Sequence, residues 1–121
     1  AELRRRTQLI ILSDTFERFA QPLMRRMEWP TLFCHRLVVE NDRITGYRLR
    51  LPDQKRRAVE ALQALNYRVI AAGDSYNDTT MLGQADHGFL FHAPANVVRE
   101  FPRFPALESY DDLLKRIIAC L

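Results

Sequence analysis

Three sets of side chains in this 121-residue chain could share one chemistry, the handling of a phosphoryl group. The first is Ser13-Asp14-Thr15, which follows an apolar run. A hydroxyl at a strand end, beside the exposed N–H groups of a helix start, makes a cradle for phosphate oxygens. The second is Gly73-Asp74-Ser75-Tyr76-Asn77-Asp78. Two carboxylates four residues apart, with an amide beside one, can hold a hard cation through oxygen. Magnesium suits them, since it typically takes one or two carboxylates plus water and phosphate oxygens. The third is Lys55, nineteen positions before Asp74. An ammonium near a phosphate offsets its charge and keeps an attacking carboxylate ionised. Only Lys55 and Lys115 among the 18 basic residues are lysine, and a compact ammonium is not replaceable by a planar guanidinium. Each set also has a plainer reading. Asp14 with Glu17, and Ser75 with Asp78, are capping-box patterns that start ordinary helices. A lysine is most often a surface residue.

The elements that must position these groups can be read from periodicity. Residues 8–12 and 67–72 are short apolar runs of buried parallel strands, ending at Ser13 and at Gly73-Asp74; Gly73 supplies a sharp turn. A helix is predicted over 16–27, with Phe16, Phe19, Ala20, Leu23 and Met27 on one face. Residues 31–34 form a strand, and 35–39 with 47–51 form a hairpin. In it Tyr47, Leu49 and Leu51 alternate with arginines, and Asn41-Asp42 and Gly46 supply turn chemistry. A helix opens after Pro52-Asp53, carrying Ala58, Leu62 and Leu65 inward. Further elements are a helix over 78–84, a strand over 87–91, a helical turn over 94–100, a loop over 101–105 and a helix over 111–121.

Strands alternating with helices imply an α/β fold with a largely parallel sheet plus a β-hairpin. The length suits one domain, residues 1–121. Ligands of such sheets bind beyond the carboxyl ends of the strands, where both polar clusters fall. Composition is that of a soluble globular protein, 47% hydrophobic and 27% charged. No apolar run approaches the roughly 20 residues a membrane helix needs, and no signal-peptide pattern is visible. Cys34 and Cys120 have neither metal-type nor redox-type spacing, so free thiols and a cytoplasmic setting are expected. The net charge of +3 is scattered; Arg4-Arg5-Arg6 has no interleaved aromatics, and no nucleic-acid partner is expected.

Hydroxyl, lysine and paired acids, in that order, resemble motifs two, three and four of the haloacid dehalogenase superfamily. Val69-Ile70-Ala71-Ala72-Gly73-Asp74-Ser75-Tyr76-Asn77-Asp78-Thr79 resembles the phosphoserine phosphatase branch, as do Ile11-Leu12-Ser13-Asp14-Thr15-Phe16 and Phe91-His92-Ala93-Pro94. Ser-Asp-Thr in place of Ser-Gly-Gly, and Asp-Ser-Tyr-Asn-Asp in place of Asp-Gly-Ala-Asn-Asp, are similar to a bifunctional phosphoserine phosphatase/homoserine phosphotransferase subgroup. The resemblance implies a Rossmann-like core and magnesium-dependent hydrolysis of O-phosphoserine, with transfer to homoserine as a second outcome. It implies that Ser13 and the backbone around Asp14 and Thr15 bind phosphoryl oxygens. Lys55 balances charge, Asp74 ligates magnesium, Asn77 contacts phosphate or substrate, and Asp78 supports the metal shell. His92 is read as structural.

One part of the pattern is absent. The superfamily's first motif is a strand followed by Asp-x-Asp, whose first Asp attacks phosphorus and whose second is the acid/base. Asp14-Thr15-Phe16, Asp74-Ser75-Tyr76 and Asp111-Asp112 all fail it, and the helical segment that covers the site in the family is missing too. The expectation is a carboxyl-terminal piece of a longer enzyme, inactive alone and needing an amino-terminal segment. The missing strand is central in the family sheet, so its loss would leave two strand edges open and the lone chain poorly folded or self-associating, a homodimer included. The alternative is a non-catalytic module that keeps phosphate or magnesium binding and serves a partner.

Overall fold

Each of the two predicted apolar runs becomes the edge strand of its own three-stranded sheet. The computed structural model describes residues 1–121, and these form two compact units, Ala1–Gln54 and Lys55–Leu121. The fold is mixed α/β; three of its four strand pairings are parallel and the fourth is a hairpin.

In the first unit a short helix α1 (Glu2–Arg6) precedes β1 (Ile10–Phe16), α2 (Glu17–Arg26), β2 (Thr31–Glu40) and β3 (Arg43–Arg48). Helix α1 was not legible from apolar spacing. It is held by Glu2 pairing with Arg6 at 2.8 Å and Arg5 at 3.7 Å, one turn away. Strand β1 runs parallel to β2, with Ile10 opposite Thr31 and Leu12 opposite Phe33. The next pair is Phe16 with His35, so Ser13-Asp14-Thr15 stand against Cys34 alone and the strand bulges there. This corrects the helix-start reading. Ser13-Asp14-Thr15 lie inside β1, and α2 begins only at Glu17, with Phe16 as its N-cap and no side-chain cap. Asp14 and Glu17 therefore make no capping box. On α2, Ala20 and Met24 are buried, while Phe19, Leu23 and Met27 of the predicted inward face are exposed.

Strand β2 is one ten-residue strand rather than two pieces. It turns into β3 through Asn41 and Asp42, both left-handed at φ 50° and 58°. A two-residue hairpin loop of the primed type needs that, and Asn and Asp tolerate it. Gly46 lies in β3 opposite Val38, not in the turn. The strand ends at Arg48, and Tyr47 and Leu49 are exposed, so the alternation over 47–51 marks no buried face.

In the second unit α3 (Gln54–Ala64, its first residue counted with unit one) leads to β4 (Ile70–Gly73). A 3-10 turn at Tyr76–Asp78 follows, then α4 (Thr79–Gln84), β5 (His87–Phe91), α5 (Ala95–Glu100), β6 (Ala106–Leu107) and α6 (Tyr110–Cys120). The sheet order is β4-β5-β6, all parallel, with Ile70 opposite His87 and Leu90 opposite Ala106. Helix α3 buries Val59. Leu65 is exposed because Asn66, at φ 69°, ends the helix and Tyr67 N–H donates back to Leu62 O at 3.0 Å. Met81, Leu82, Phe89, Leu90, Val97 and Phe104 form the core of this unit, with the consecutive β5 residues Phe89 and Leu90 on opposite faces of the sheet.

Helix α4 packs on β5 so closely that a Cβ on Gly88 would lie 2.5 Å from Leu82 O and 3.0 Å from Leu82 Cβ. The obstacle is backbone and cannot swing aside. Gly88→Ala is expected to destabilise the second unit by about 1–3 kcal/mol, read as a lowered urea midpoint. An unchanged midpoint would mean that α4 and β5 are not in this contact. No helix is long and apolar enough to cross a membrane.

Candidate active site

Strand β4 ends at Gly73, and the chain turns back over its end through Asp74, Ser75 and the 3-10 turn. That return brings Asp78 under its own approach. The Asp78 carboxylate is buried, with a side chain 7% exposed, and both oxygens are occupied. Oδ1 accepts from Lys55 Nζ at 2.7 Å. Oδ2 accepts from the N–H groups of Asp74 at 3.0 Å and Ser75 at 3.1 Å, and from the Ser75 hydroxyl at 3.2 Å. The capping pattern and the site are therefore one structure: Ser75 and Asp78 form a capping box, and its carboxylate also holds the lysine.

Burial alone would push the Asp78 carboxyl up. The Lys55 hydrogen bond and charge, with the Ser75 and Asp74 N–H groups, outweigh it and hold the carboxyl below its ordinary value. Lys55 sits in the first turn of α3 with its side chain 14% exposed. Gly73 is needed here, though not for a turn, since no glycine of the chain has positive φ. A Cβ on Gly73 would come 2.5 Å from Asp78 Cβ and 2.6 Å from its Cγ and Oδ2. The sharp-turn reading of Gly73 is replaced by one of close approach.

Lys55, the Asp74 backbone, Ser75 and Asp78 are thus brought together. Asn77 and the Asp74 side chain are exposed at the same strand end. No group of three or more His, Cys, Asp or Glu side chains clusters as a metal cage. The donor set still fits magnesium, which accepts one carboxylate completed by water and phosphate oxygens. Asp74 is the accessible carboxylate, and Asp78 fixes the backbone from which it projects.

The other cluster belongs to the first unit. In the β1 bulge Thr15 N–H donates to Ser13 Oγ at 3.2 Å, so the Ser13 hydroxyl keeps its own proton for an acceptor. Gln54 Nε2 donates to Ser13 O at 2.5 Å and to Asp14 Oδ1 at 3.2 Å. His35, buried in β2, sets Nε2 3.4 Å from Asp14 Oδ1, and its Nδ1 accepts from Arg50 N–H at 2.9 Å. Sequence reasoning missed His35 and Gln54. Nothing in their local pattern marks them; His35 reaches Asp14 only through the parallel β1–β2 register, 21 residues apart in sequence.

A haloacid dehalogenase-like hydrolase model matches residues 1–86 of the chain. The chain belongs to the haloacid dehalogenase-like hydrolases. It is 62% identical over 117 residues to a phosphoserine phosphatase of Pseudomonas syringae pv. tomato, covering 96% of this chain and 49% of that protein. It is 59% identical over 117 residues to the phosphoserine phosphatase ThrH of Pseudomonas aeruginosa, covering 96% and 57%. The chain thus spans about half the length of the curated relatives it matches. A substrate-bound phosphoserine phosphatase structure superposes with a TM-score of 0.76 at 20% identity, over 99% of this chain and 59% of that one, a likeness of fold.

In this haloacid dehalogenase-like hydrolase His92 has φ 52°, stacks on Phe91 with ring centroids 4.0 Å apart, and hydrogen-bonds Glu108 O. Both cysteines are free and half-buried; burial, then the Glu17 charge, pushes the Cys34 thiol up and keeps it a poor nucleophile.

Proposed function

We propose that this chain carries the phosphate- and magnesium-handling part of a phosphoserine phosphatase. The observation that carries the reading is the buried Lys55–Asp78 pair at the carboxyl end of β4, with Asp78 also gripping the Asp74 and Ser75 N–H groups. A capping aspartate in an ordinary helix start has no use for a lysine 23 residues upstream, and burying two charges is unfavourable unless they are fully hydrogen-bonded. The names of the two Pseudomonas relatives support the substrate, O-phosphoserine.

In this reading Asp74 holds magnesium, with Asp78 orienting it from behind. The ion, when bound, neutralises phosphoryl charge. The chain's own residues do the rest. The Ser13 hydroxyl and the N–H groups of the β1 bulge take phosphoryl oxygens, Asn77 contacts phosphate or substrate, and the Lys55 ammonium keeps the local charge balanced. The attacking Asp-x-Asp is supplied by a segment outside these 121 residues. Strands β1 and β4 each leave one edge unpaired, and an unpaired edge is a place for another strand.

The test is a phosphate-release assay on O-phosphoserine with magnesium, for the chain alone and for the chain preceded by the amino-terminal segment of the P. syringae relative. Turnover is expected only in the second case. Turnover by the lone chain would show that the nucleophile lies within it, and silence in both would remove the phosphatase assignment. The Ser-Asp-Thr and Asp-Ser-Tyr-Asn-Asp variants, which resemble the bifunctional subgroup, support homoserine as a second phosphoryl acceptor; adding homoserine to the joined enzyme should yield O-phosphohomoserine.

A further inference from the structure

The candidate active site takes up the carboxyl end of β4, but the amino ends of the same sheet carry an open cleft of about 390 Å³, within the range of small-ligand sites. The cleft lies where β5 starts. His87 and Gly88, the last turns of α4 and α6, and the loop leading into β6 border it. Ile70 pairs with His87 and Gly73 with Leu90, so the strands separate this cleft from the end of β4 by three residue rises, roughly 10 Å.

Two arginines line it, Arg103 from the loop and Arg116 from α6. The Arg103 guanidinium carbon lies 4.7 Å from the centre of the Phe104 ring, and that of Arg116 lies 5.7 Å from the centre of Phe89. A ring face attracts a guanidinium and leaves its N–H edges unused. Neither guanidinium has an ion pair or a hydrogen bond. Gly83 leaves room for this arrangement, since a Cβ there would come 2.9 Å from Arg103 Nη2. The carboxylate on the cleft wall does not answer the two charges: Asp86 Oδ2 accepts from Val69 N–H at 2.8 Å and from Gln63 Nε2 at 3.2 Å, and neither arginine reaches it. In a plainer reading the arginines complete the carboxyl ends of α4 and α6, but they would then donate to the last carbonyls, and they do not. Two like charges turned to one cleft repel each other, and a shared anion removes that repulsion. Guanidinium edges match paired anionic oxygens.

We propose that this cleft is a second ligand site of the chain, which binds a compact dianion, a phosphate or a small dicarboxylate, between Arg103 and Arg116. It is independent of the phosphatase reading, because it shares no residue with the Lys55–Asp78 assembly. Cys120 lines the cleft and reports on it, while Cys34, in the first unit, is an internal reference. Alkylation of both thiols of the 121-residue chain by iodoacetamide is followed by peptide mass spectrometry at fixed ionic strength without magnesium. The probes are inorganic phosphate, succinate and acetate. A dianion bound with a Kd of about 1 mM should, at about 10 mM, slow the alkylation of Cys120 roughly tenfold and leave Cys34 unchanged. Protection by phosphate alone identifies a phosphoryl ligand, and protection by succinate alone a dicarboxylate; either supports the site. Arg103→Gln and Arg116→Gln should each weaken protection about tenfold in probe concentration, the usual worth of a charge-assisted hydrogen bond, and both residues are exposed, so neither change threatens the fold. Protection by neither dianion, acetate as effective as the dianions, or protection that survives in the doubly substituted chain would overturn the proposal and leave the phosphatase reading where it stands.

Discussion

Replacing Asp78 by alanine is expected to destabilise the second unit by about 3–5 kcal/mol, because it removes the buried carboxylate that Lys55, two backbone N–H groups and the Ser75 hydroxyl share. The cost is asymmetric. Asp78 satisfies four donors at once: Lys55 Nζ, two backbone N–H groups and the Ser75 hydroxyl. Asp78→Asn keeps an oxygen for the backbone donors and loses the charge, so it should cost less than alanine and still more than 1 kcal/mol. Adding Lys55→Met to Asp78→Asn should recover part of the loss, since an apolar side chain of similar length needs no counter-charge. Urea unfolding of the four chains measures all of this. A change below about 1 kcal/mol for Asp78→Ala would show that the pair is solvated and that the lysine is held by something else.

Acid should reveal the same pair. The folded pKa of Asp78 lies below its unfolded value, so its ionised form is the one that folding favours. That contribution is complete above the unfolded value of about 4 and is lost as pH falls through the lower, folded value. The native chain should therefore lose stability below about pH 4, and its advantage over Asp78→Asn, constant near neutrality, should shrink there. Asp86 adds to the acid limb, since the Val69 N–H and then Gln63 hold its carboxyl low as well. That part is common to both chains and cancels in the comparison.

Element types were readable where a repeating pattern met a chain-local cause. The strand over 87–91 and the helices near 79–84, 95–100 and 110–120 fall within a residue or two of expectation. The last of these is bounded by a residue that acts locally, Ser109, whose hydroxyl accepts Asp112 N–H at 3.1 Å. Failures arose where a partner strand decides. Whether Ser13-Asp14-Thr15 start a helix or bulge a strand depends on β2, whose Cys34 and His35 set the register 20 residues later. On helix α2 the expected face of Phe16, Phe19, Ala20, Leu23 and Met27 holds at Ala20, but Met24 rather than Phe19, Leu23 or Met27 is buried beside it. The candidate site divides the same way. Lys55 and Asp78 were found from residue type and order, and the structure joins them. His35 and Gln54 were not found, because a histidine in a strand and a glutamine at a helix start are ordinary until the fold sets them against Asp14.

Gly73→Ala is expected to damage the site more than the fold. An added methyl at residue 73 would overlap Asp78 at its Cβ, Cγ and Oδ2 together, all within 2.6 Å. The backbone at Gly73 is not left-handed, so alanine meets no conformational penalty there, and at the end of a strand it is otherwise no worse a residue. The whole effect must then come from the clash. Asp78 cannot retreat by changing rotamer without releasing Lys55 Nζ and the Asp74 and Ser75 N–H groups, so either the carboxylate leaves its partners or the Asp74–Ser75 turn lifts off the end of β4. The stability loss is expected at about 1–3 kcal/mol, the range for overpacking, and sub-additive with Asp78→Ala, since alanine at 78 removes the Cγ and Oδ2 overlaps and leaves only the one at Cβ. In the enzyme joined to its amino-terminal segment, Gly73→Ala should lower kcat more than tenfold at saturating magnesium. A displacement of the reacting groups by about 1 Å is enough for that. A Gly73→Ala chain with native stability and a destabilisation fully additive with Asp78→Ala would show that residues 73 and 78 do not touch, and the assembly at the end of β4 would have to be drawn differently.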